Sequence, residues 1–167
     1  MKKVLLFFFT VCLFWATCSL LALAEGTPPP ANLALNKPIV ASSEGGANYT
    51  VTKAVDGLDT SYWVSAPGAY PATLTVDLGA IQKVTKVVLK LKPNWAAART
   101  QPISILGSVD GATFTELKAA AAYKFEPANM NIVSIGFTAT DVRYVRLSIA
   151  ANSEAPSAQM AEFEVYN

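Results

Sequence analysis

The sequence predicts an all-β protein, an antiparallel β-sandwich assembled from several short strands. Two observations carry this prediction. Apolar and polar residues alternate with a period of two in segment after segment, and turn-forming residues recur roughly every ten residues between those segments. No segment keeps the period of about 3.6 that a helix requires, and the alanine-rich stretch 117–123 is too short to be a convincing one.

The clearest strand is segment 73–78, in which three aliphatic residues alternate with two threonines and an aspartate. Segment 84–92 repeats this pattern with its lysines on the outer face, and Pro93 ends it. Asp110-Gly111 is a turn signal between two further strands. The remaining predicted strands cover 38–43, 103–109, a segment beginning at 112, 131–137, 142–149 and 161–166.

The N-terminus has the pattern of a secretory signal peptide. Lys2 and Lys3 precede an uncharged apolar run, 4–23, and the segment closes on a small-x-small cleavage pattern at Ala24. A single membrane anchor is the alternative, because the run is long enough to span a bilayer. We expect cleavage and secretion, and divide the chain into a signal peptide (1–24), a Pro-rich linker (25–31) and one folded domain (32–167).

Composition excludes several functions. Both cysteines, Cys12 and Cys18, fall in the predicted signal peptide, and the chain has no histidine. Thiol nucleophiles, thiolate metal sites and every histidine-dependent mechanism are therefore excluded for the secreted domain. Its acidic residues are scattered singly rather than paired, so we expect no enzymatic activity. Without Lys2 and Lys3, 11 basic and 12 acidic residues remain, a near-neutral balance that predicts no nucleic-acid binding.

The stretch TKAVDGLDTSYW, residues 52–63, is a tight loop with two interpretations. Asp56-Gly57 is a turn signal, side-chain oxygens follow it closely, and Trp63 is expected to be a buried anchor. Closely spaced oxygen ligands are what calcium requires. The alternative is an Asx-type turn, in which the aspartate binds the backbone amides of its own loop.

Six blocks in this order resemble the discoidin, or coagulation factor V/VIII C-type, domain. The resemblance implies a jelly-roll β-sandwich of about eight strands. In secreted bacterial proteins it also implies a carbohydrate-binding module similar to family 32. The blocks are NLALNKP at 32–38, AVDGLDTSYW at 54–63, TVDLG at 75–79, GSVDG at 107–111, RYVRL at 143–147 and EFEVY at 162–166.

The resemblance also implies a structural calcium ion that would tie the 52–63 loop to the last strand. Leu58 stands where many relatives have Asn or Asp, so this position could offer only its backbone carbonyl, and Asp59 beside it would partly compensate. The implied ligands are the carbonyls of Lys53, Leu58 and Ala161, the carboxylates of Asp56 and Glu162, and the hydroxyl of Ser61 or Thr60.

The loop KPNWAAARTQ, residues 92–101, is the best candidate for ligand binding. Trp95 offers an indole face for sugar C–H groups, and Asn94, Arg99 and Gln101 offer hydrogen bonds to hydroxyls. The alternative is that Trp95 folds back as a lid on the core. The loop resembles the NW-x-ARTQ loop of discoidin-like modules appended to α-glucan-degrading enzymes, which implies polysaccharide binding, with an α-glucan as ligand.

Three further loops, 44–49, 64–70 and 150–159, are expected to face Trp95. They add Glu44, Tyr49, Tyr70 and Asn152 to the candidate site. Ala155 occupies a place where related loops often have an aromatic residue. We expect Arg146 to be a structural ion-pair partner rather than a ligand residue, and we assign four aromatic residues to the core: Trp63, Phe114, Phe137 and Tyr144.

Together these features predict a secreted, non-catalytic and monomeric module that binds a neutral polysaccharide. The alternative is a cell-surface adhesion module that binds a protein or a membrane through exposed aromatic side chains. The near-neutral charge gives no support for binding to anionic lipid. A polysaccharide or other glycan is therefore the expected partner, and calcium is the expected cofactor.

Overall fold

The computed structural model describes residues 29–167 of the chain. The predicted signal peptide, with both cysteines, and the first part of the linker lie outside the described residues. Within the described part, no helix has the length and apolar character needed to cross a membrane.

Strands account for nearly all of the regular structure, which confirms the predicted all-β class. The only helical elements in the described residues are two short 3-10 helices, Val51–Ala54 and Pro127–Asn129. The eight strands are β1 (Ile39–Ala41), β2 (Trp63–Val64), β3 (Ala72–Lys90), β4 (Arg99–Ser108), β5 (Thr115–Phe125), β6 (Ile132–Ile149), β7 (Gln159–Met160) and β8 (Glu162–Tyr166).

All strand pairs are antiparallel and form a β-sandwich. The order in the main sheet is β1-β3-β6-β4-β5, β8 pairs with β3, and β2 pairs with β7. The first part of β3 pairs with β1 and the end of β6, whereas residues 86–90 pair with β8 and the beginning of β6. The two long strands therefore contribute to both layers of the sandwich.

The sequence predicted two strands where the structure has one, in two places. Segments 73–78 and 84–92 belong to β3, and segments 131–137 and 142–149 belong to β6. The pairing register shifts between Asp77 and Gln82, and Gly79 there has a φ of 87°. Glycine adopts this angle without strain, so the strand turns between the layers without ending.

The core lies between the two layers. Trp63 is fully buried, as predicted, and its indole N–H donates a 3.0 Å hydrogen bond to the Ser43 carbonyl. Phe137 is partly buried and packs against the core, whereas the assignment of Phe114 and Tyr144 to the core was wrong, because both are only partly buried and neither belongs to the core cluster. The two other large aromatic side chains of the core are Phe125 and Phe163.

Hydrogen bonds between backbone segments gather the loops at one end of the sandwich. The Gly45 amide donates to the Val64 carbonyl at 2.7 Å, and the Gly68 amide donates to the Pro156 carbonyl at 2.8 Å. The Ser153 amide donates to the Thr100 carbonyl at 3.0 Å. The loops that were expected to face one another are therefore joined into one surface.

Candidate functional site

A row of aromatic rings lies on this loop surface. The ring centroids of Tyr49 and Tyr62 are 5.0 Å apart, and those of Tyr62 and Trp95 are also 5.0 Å apart, with the latter pair edge to face. Sequence reasoning missed Tyr62, although it stands beside Trp63 in the 52–63 stretch. Burial and contact with Tyr49 raise the pKa of the Tyr62 phenol, and the charge of Arg99 lowers it.

Arg99 completes this arrangement, which we call the loop cluster: Tyr49, Tyr62, Trp95 and Arg99. The guanidinium carbon lies 4.0 Å from the centroid of the Trp95 ring. Its Nε and one terminal nitrogen are buried and have no hydrogen-bond partner among the described residues. Burial lowers the pKa of Arg99, and the negative charge of Glu154 raises it. Buried donors of this kind need an acceptor, which the described residues do not supply.

Trp95 combines the two interpretations that the sequence left open. It is partly buried and packs against the hydrophobic core, yet it also joins the surface row of rings. Its loop is held by Asn131, whose side-chain amide donates to the carbonyls of Lys92 at 2.9 Å and Trp95 at 3.1 Å. Asn131 has a φ of 57°, an angle that asparagine tolerates better than most residues.

Gln101 does not reach the surface, so its assignment to direct ligand contact was wrong. It is fully buried, donating to the Gln159 carbonyl at 3.0 Å and accepting from the Gln159 amide at 3.1 Å. Asn152 also shapes the backbone, because its side chain bonds the Ser157 carbonyl and the Glu154 amide. The two amides position the loop that carries Glu154.

The three other predicted residues lie around the loop cluster. Asn94 is exposed next to Trp95 in the same loop. The exposed Glu44 accepts a 2.7 Å hydrogen bond from the Val51 amide, where the first 3-10 helix begins. Tyr70 packs against the core, and burial of its hydroxyl, which has no partner in the described part of the chain, raises its pKa.

A second site joins Asp56 to Glu162, far apart in the sequence. Glu162 is only 1% exposed, and neither of its carboxylate oxygens has a hydrogen-bond partner among residues 29–167. Burial and the neighbouring Asp56 raise the pKa of Glu162 to about 8. Asp56 itself accepts from the Leu58 amide at 2.9 Å and from the Ser61 hydroxyl at 2.7 Å.

These contacts bear on the two interpretations of the 52–63 loop. The Asp56 to Leu58 hydrogen bond is an Asx turn, but such a turn leaves the buried oxygens of Glu162 unexplained. The Leu58 side chain is 57% exposed, while its carbonyl lies 3.3 Å from the Ser61 hydroxyl. This donor set of carboxylate, carbonyl and hydroxyl oxygens fits a calcium ion.

The carboxylates alone would not hold a metal. Within the described residues no group of three or more acidic, histidine or cysteine side chains is placed to do so. Calcium would therefore depend on Asp56 and Glu162 together with neutral oxygens. Lys53 lies within the first 3-10 helix, and the buried Ala161 directly precedes Glu162; that their carbonyls bind a cation stays a prediction.

An antiparallel sandwich with a cluster of aromatic and cationic side chains on its loops defines the class of protein, a ligand-binding β-sandwich module. The chain belongs to the F5/8 type C, or discoidin, domain family, whose family model matches residues 38–163. The resemblance seen in the sequence is thereby confirmed. No curated protein shows significant similarity to the chain.

Solved structures of similar sequence are carbohydrate-binding modules. Chitosan-binding module 1 of a chitosanase/glucanase from Paenibacillus sp. IK-5 is 33% identical, with a TM-score of 0.67 over 82% of this chain and 99% of that one. Module 2 of the same enzyme, solved with chitotriose, is 33% identical, with a TM-score of 0.65 over 81% of this chain and 100% of that one.

A more distant structure shares the fold. The family 32 module of NanJ from C. perfringens, solved with galactose, is 20% identical, with a TM-score of 0.65 over 79% of this chain and 94% of that one. The sandwich is therefore shared by modules whose sequences have diverged widely from this chain.

Proposed function

We propose that the domain is a secreted, non-catalytic carbohydrate-binding module and that the loop cluster is its binding site. The observation that carries the proposal is the pairing of Trp95 with Arg99, whose buried donors have no partner in the described part of the chain. Ring faces pack against sugar C–H groups, and the guanidinium donates to sugar hydroxyls. The rings already contact one another, whereas the buried donors of Arg99 must become accessible when the sugar binds.

The ligand we propose first is a neutral polysaccharide, an α-glucan. The 92–101 loop resembles that of modules attached to α-glucan-degrading enzymes, and stacking with hydrogen bonding needs no ligand charge. Chitosan is the second candidate. Two chitosan-binding modules share 33% identity with the chain, and the exposed carboxylates of Glu44 and Glu154 could pair with glucosamine ammonium groups.

Calcium has a structural role in this proposal. Asp56 and Glu162 hold it with the carbonyls of Lys53, Leu58 and Ala161 and the hydroxyl of Ser61. A bound cation would offset the negative charges of the two adjoining carboxylates. It thereby ties the loop after the first 3-10 helix to β8.

Binding is tested by titrating a soluble α-glucan and a chitosan oligosaccharide into the purified domain and three variants. We expect Trp95→Ala to abolish binding. Arg99→Lys should weaken it about tenfold, because lysine lacks the planar guanidinium group with its several N–H donors. Ile81→Ala, at an exposed site on β3, is the control and should bind normally.

The outcomes separate the candidates. Weaker binding of the chitosan oligosaccharide in Glu44→Gln and Glu154→Gln would assign the site to an amino sugar. Unchanged binding in Trp95→Ala would overturn the site. A domain that binds no polysaccharide but binds a protein or vesicles would favour the adhesion module. A single species at the mass of one chain would confirm the expected monomer.

A further inference from the structure

A second concave surface, which we call the outer-face groove, lies away from the loop cluster. It has a volume of about 480 Å³, within the range of small-molecule sites. It crosses the outer face of β1, β3 and β6 and is closed by the segment before β1, the first 3-10 helix and the turn at Gly111. It is lined by Lys37, Pro38, Ile39, Val40, Thr52, Thr75, Asp77, Gly111, Tyr144 and Arg146.

The strand register brings these side chains together. Val40 pairs with Thr75, which pairs with Arg146, so the three form one row across the sheet. Asp77 pairs with Tyr144 in the adjacent row of the same face. Residues that alternate with them along β3 and β6 are buried in the core, so these side chains point outward.

The Asp77 carboxylate in the groove is already neutralised. Arg143 donates to both of its oxygens, each at 2.8 Å, in a two-pronged pair. This contact is the main reason that the pKa of Asp77 is lowered to about 2. The carboxylate therefore remains ionised and paired at neutral pH, and contributes little net negative charge to the groove.

Arg146, in contrast, has no ion pair among the described residues, so its expected role as a structural ion-pair partner was wrong. Its Nε donates to the Thr75 hydroxyl at 2.8 Å, and its guanidinium stacks 3.7 Å from the centroid of the Phe114 ring. These contacts fix the plane of the guanidinium and leave both terminal nitrogens without a protein partner in residues 29–167. Lys37, which also lines the groove, is likewise in none of the salt bridges of the described residues.

We propose that the outer-face groove is a second saccharide-binding site that takes an acidic sugar, a uronic acid unit. The planar, oriented donors of Arg146 match the two oxygens of a carboxylate, and Lys37 adds a second positive charge. The ring of Tyr144 and the 65% exposed Val40 provide an apolar wall for the sugar ring, and Thr52 offers a hydroxyl. The loop cluster is not needed for this binding.

The test is a titration of the domain with trigalacturonic acid at pH 7, with its neutral counterpart galactotriose as the comparison. We expect the acidic trisaccharide to bind through the groove, with an affinity that falls several-fold as salt rises from low to high concentration. NMR chemical-shift changes should map to β1, β3 and β6. No binding, or changes confined to the loop cluster, would overturn the proposal.

Variants complete the test. Val40→Glu places a negative charge at an exposed position of the groove, and should reduce binding at least tenfold without a change in melting temperature. Lys37→Gln should reduce it several-fold. Lys83→Gln, which removes an exposed lysine paired with Asp141 elsewhere, is the matched control and should bind normally. An equal loss in this control would refute the groove.

Trp95→Ala separates this proposal from the proposed function. We expect it to abolish binding of the neutral polysaccharide and to leave binding of trigalacturonic acid unchanged. Loss of both ligands in Trp95→Ala would place the acidic sugar in the loop cluster and overturn the second site. If Trp95→Ala still binds both ligands, the loop cluster is overturned as the site for the neutral polysaccharide, and the outer-face groove is not affected.

Discussion

Replacing the buried carboxyl of Glu162 by the neutral amide of glutamine tests the calcium proposal most directly. Glu162 is 1% exposed, and its oxygens lack partners in the described residues. An unpaired carboxylate at such a position is costly, so without metal the group should hold a proton. Calcium would replace that proton. Stability should therefore depend on pH and on calcium together, and Glu162→Gln should remove both dependences.

The pH dependence follows from the raised pKa. Without calcium, the folded protein binds a proton at Glu162 up to a pKa of about 8, whereas the unfolded chain releases it near the ordinary 4.5. Between these values the folded state binds more protons, so the free energy of unfolding falls as pH rises and levels off above about 8. The difference between the two pKa values corresponds to a loss of roughly 5 kcal/mol at most in the free energy of unfolding.

Calcium should reverse this loss. A ligand that binds only the folded state at 100 times its dissociation constant adds about 2.7 kcal/mol to the free energy of unfolding. For a domain of this size, that corresponds to a rise in melting temperature of roughly 10 °C. The rise should be larger at pH 8 than at pH 5, because the proton competes with calcium for Glu162 at the lower pH.

Differential scanning calorimetry in calcium chloride and in EGTA, at pH 5 and pH 8, measures both effects. Glu162→Gln should fold, melt at one temperature across this range and ignore calcium. Glu116→Gln, an exposed carboxylate on β5, is the matched control and should behave as the wild type. The same melting temperature in calcium and EGTA at pH 8, or a calcium response retained by Glu162→Gln, would refute the metal site.

Three further predictions concern the framework. Asn131→Gly keeps the positive φ but loses two hydrogen bonds, so glycan affinity should fall while Asn36→Gly, also at a positive φ of 55°, binds normally. Gly107→Ala would bring a methyl group within 2.7 Å of a neighbouring valine, and urea unfolding should show a loss of about 1–3 kcal/mol. Asp77→Asn should lower stability at neutral pH, with the difference from wild type disappearing as pH falls from about 4 towards 2, because the pKa of Asp77 is lowered by Arg143.

Each of these has a contrary outcome. Equal loss of affinity in both asparagine variants would mean that the loop of Trp95 does not depend on Asn131. An unchanged unfolding midpoint in Gly107→Ala would mean that Val142 on β6 and Leu117 on β5 make room for the added methyl group without cost. A difference between wild type and Asp77→Asn that stays constant from pH 7 to pH 2 would show that the ion pair is not its source.

Much of the fold was predictable from local pattern. Alternation in 73–78 and 142–149 identified both strands and their buried faces, because side chains on a strand alternate between its faces. The continuity of β3 through Gly79 was not predictable, since a glycine that follows an alternating segment equally indicates a turn that ends the strand. The short pair β2 and β7 was missed because two residues carry no period.

The sequence predicted the kind of candidate site, an aromatic and polar one, but not all of the residues that form it. The segment that carries Trp95 and Arg99 stood out because it combines an aromatic residue with polar side chains after a strand end, although in the structure Arg99 begins β4. Tyr62 and Asn131 did not, because their roles depend on contacts with a loop more than thirty residues away. Gln101 was misplaced, since alternation along β4 turns it into the core.

The sequence by itself determined the β class, the absence of histidine chemistry and the blocks that mark the discoidin family. The tertiary structure decided which distant residues meet. The pairing of β3 with β6 brings Arg143 to Asp77 and Arg146 to Thr75, 66 and 71 residues apart. It also leaves Arg143 paired with a carboxylate and Arg146 without one in the described chain. The alternation of apolar and polar residues shows which face of the sheet a residue occupies. It does not show which strand lies beside it, because the choice of partner strand depends on long-range packing.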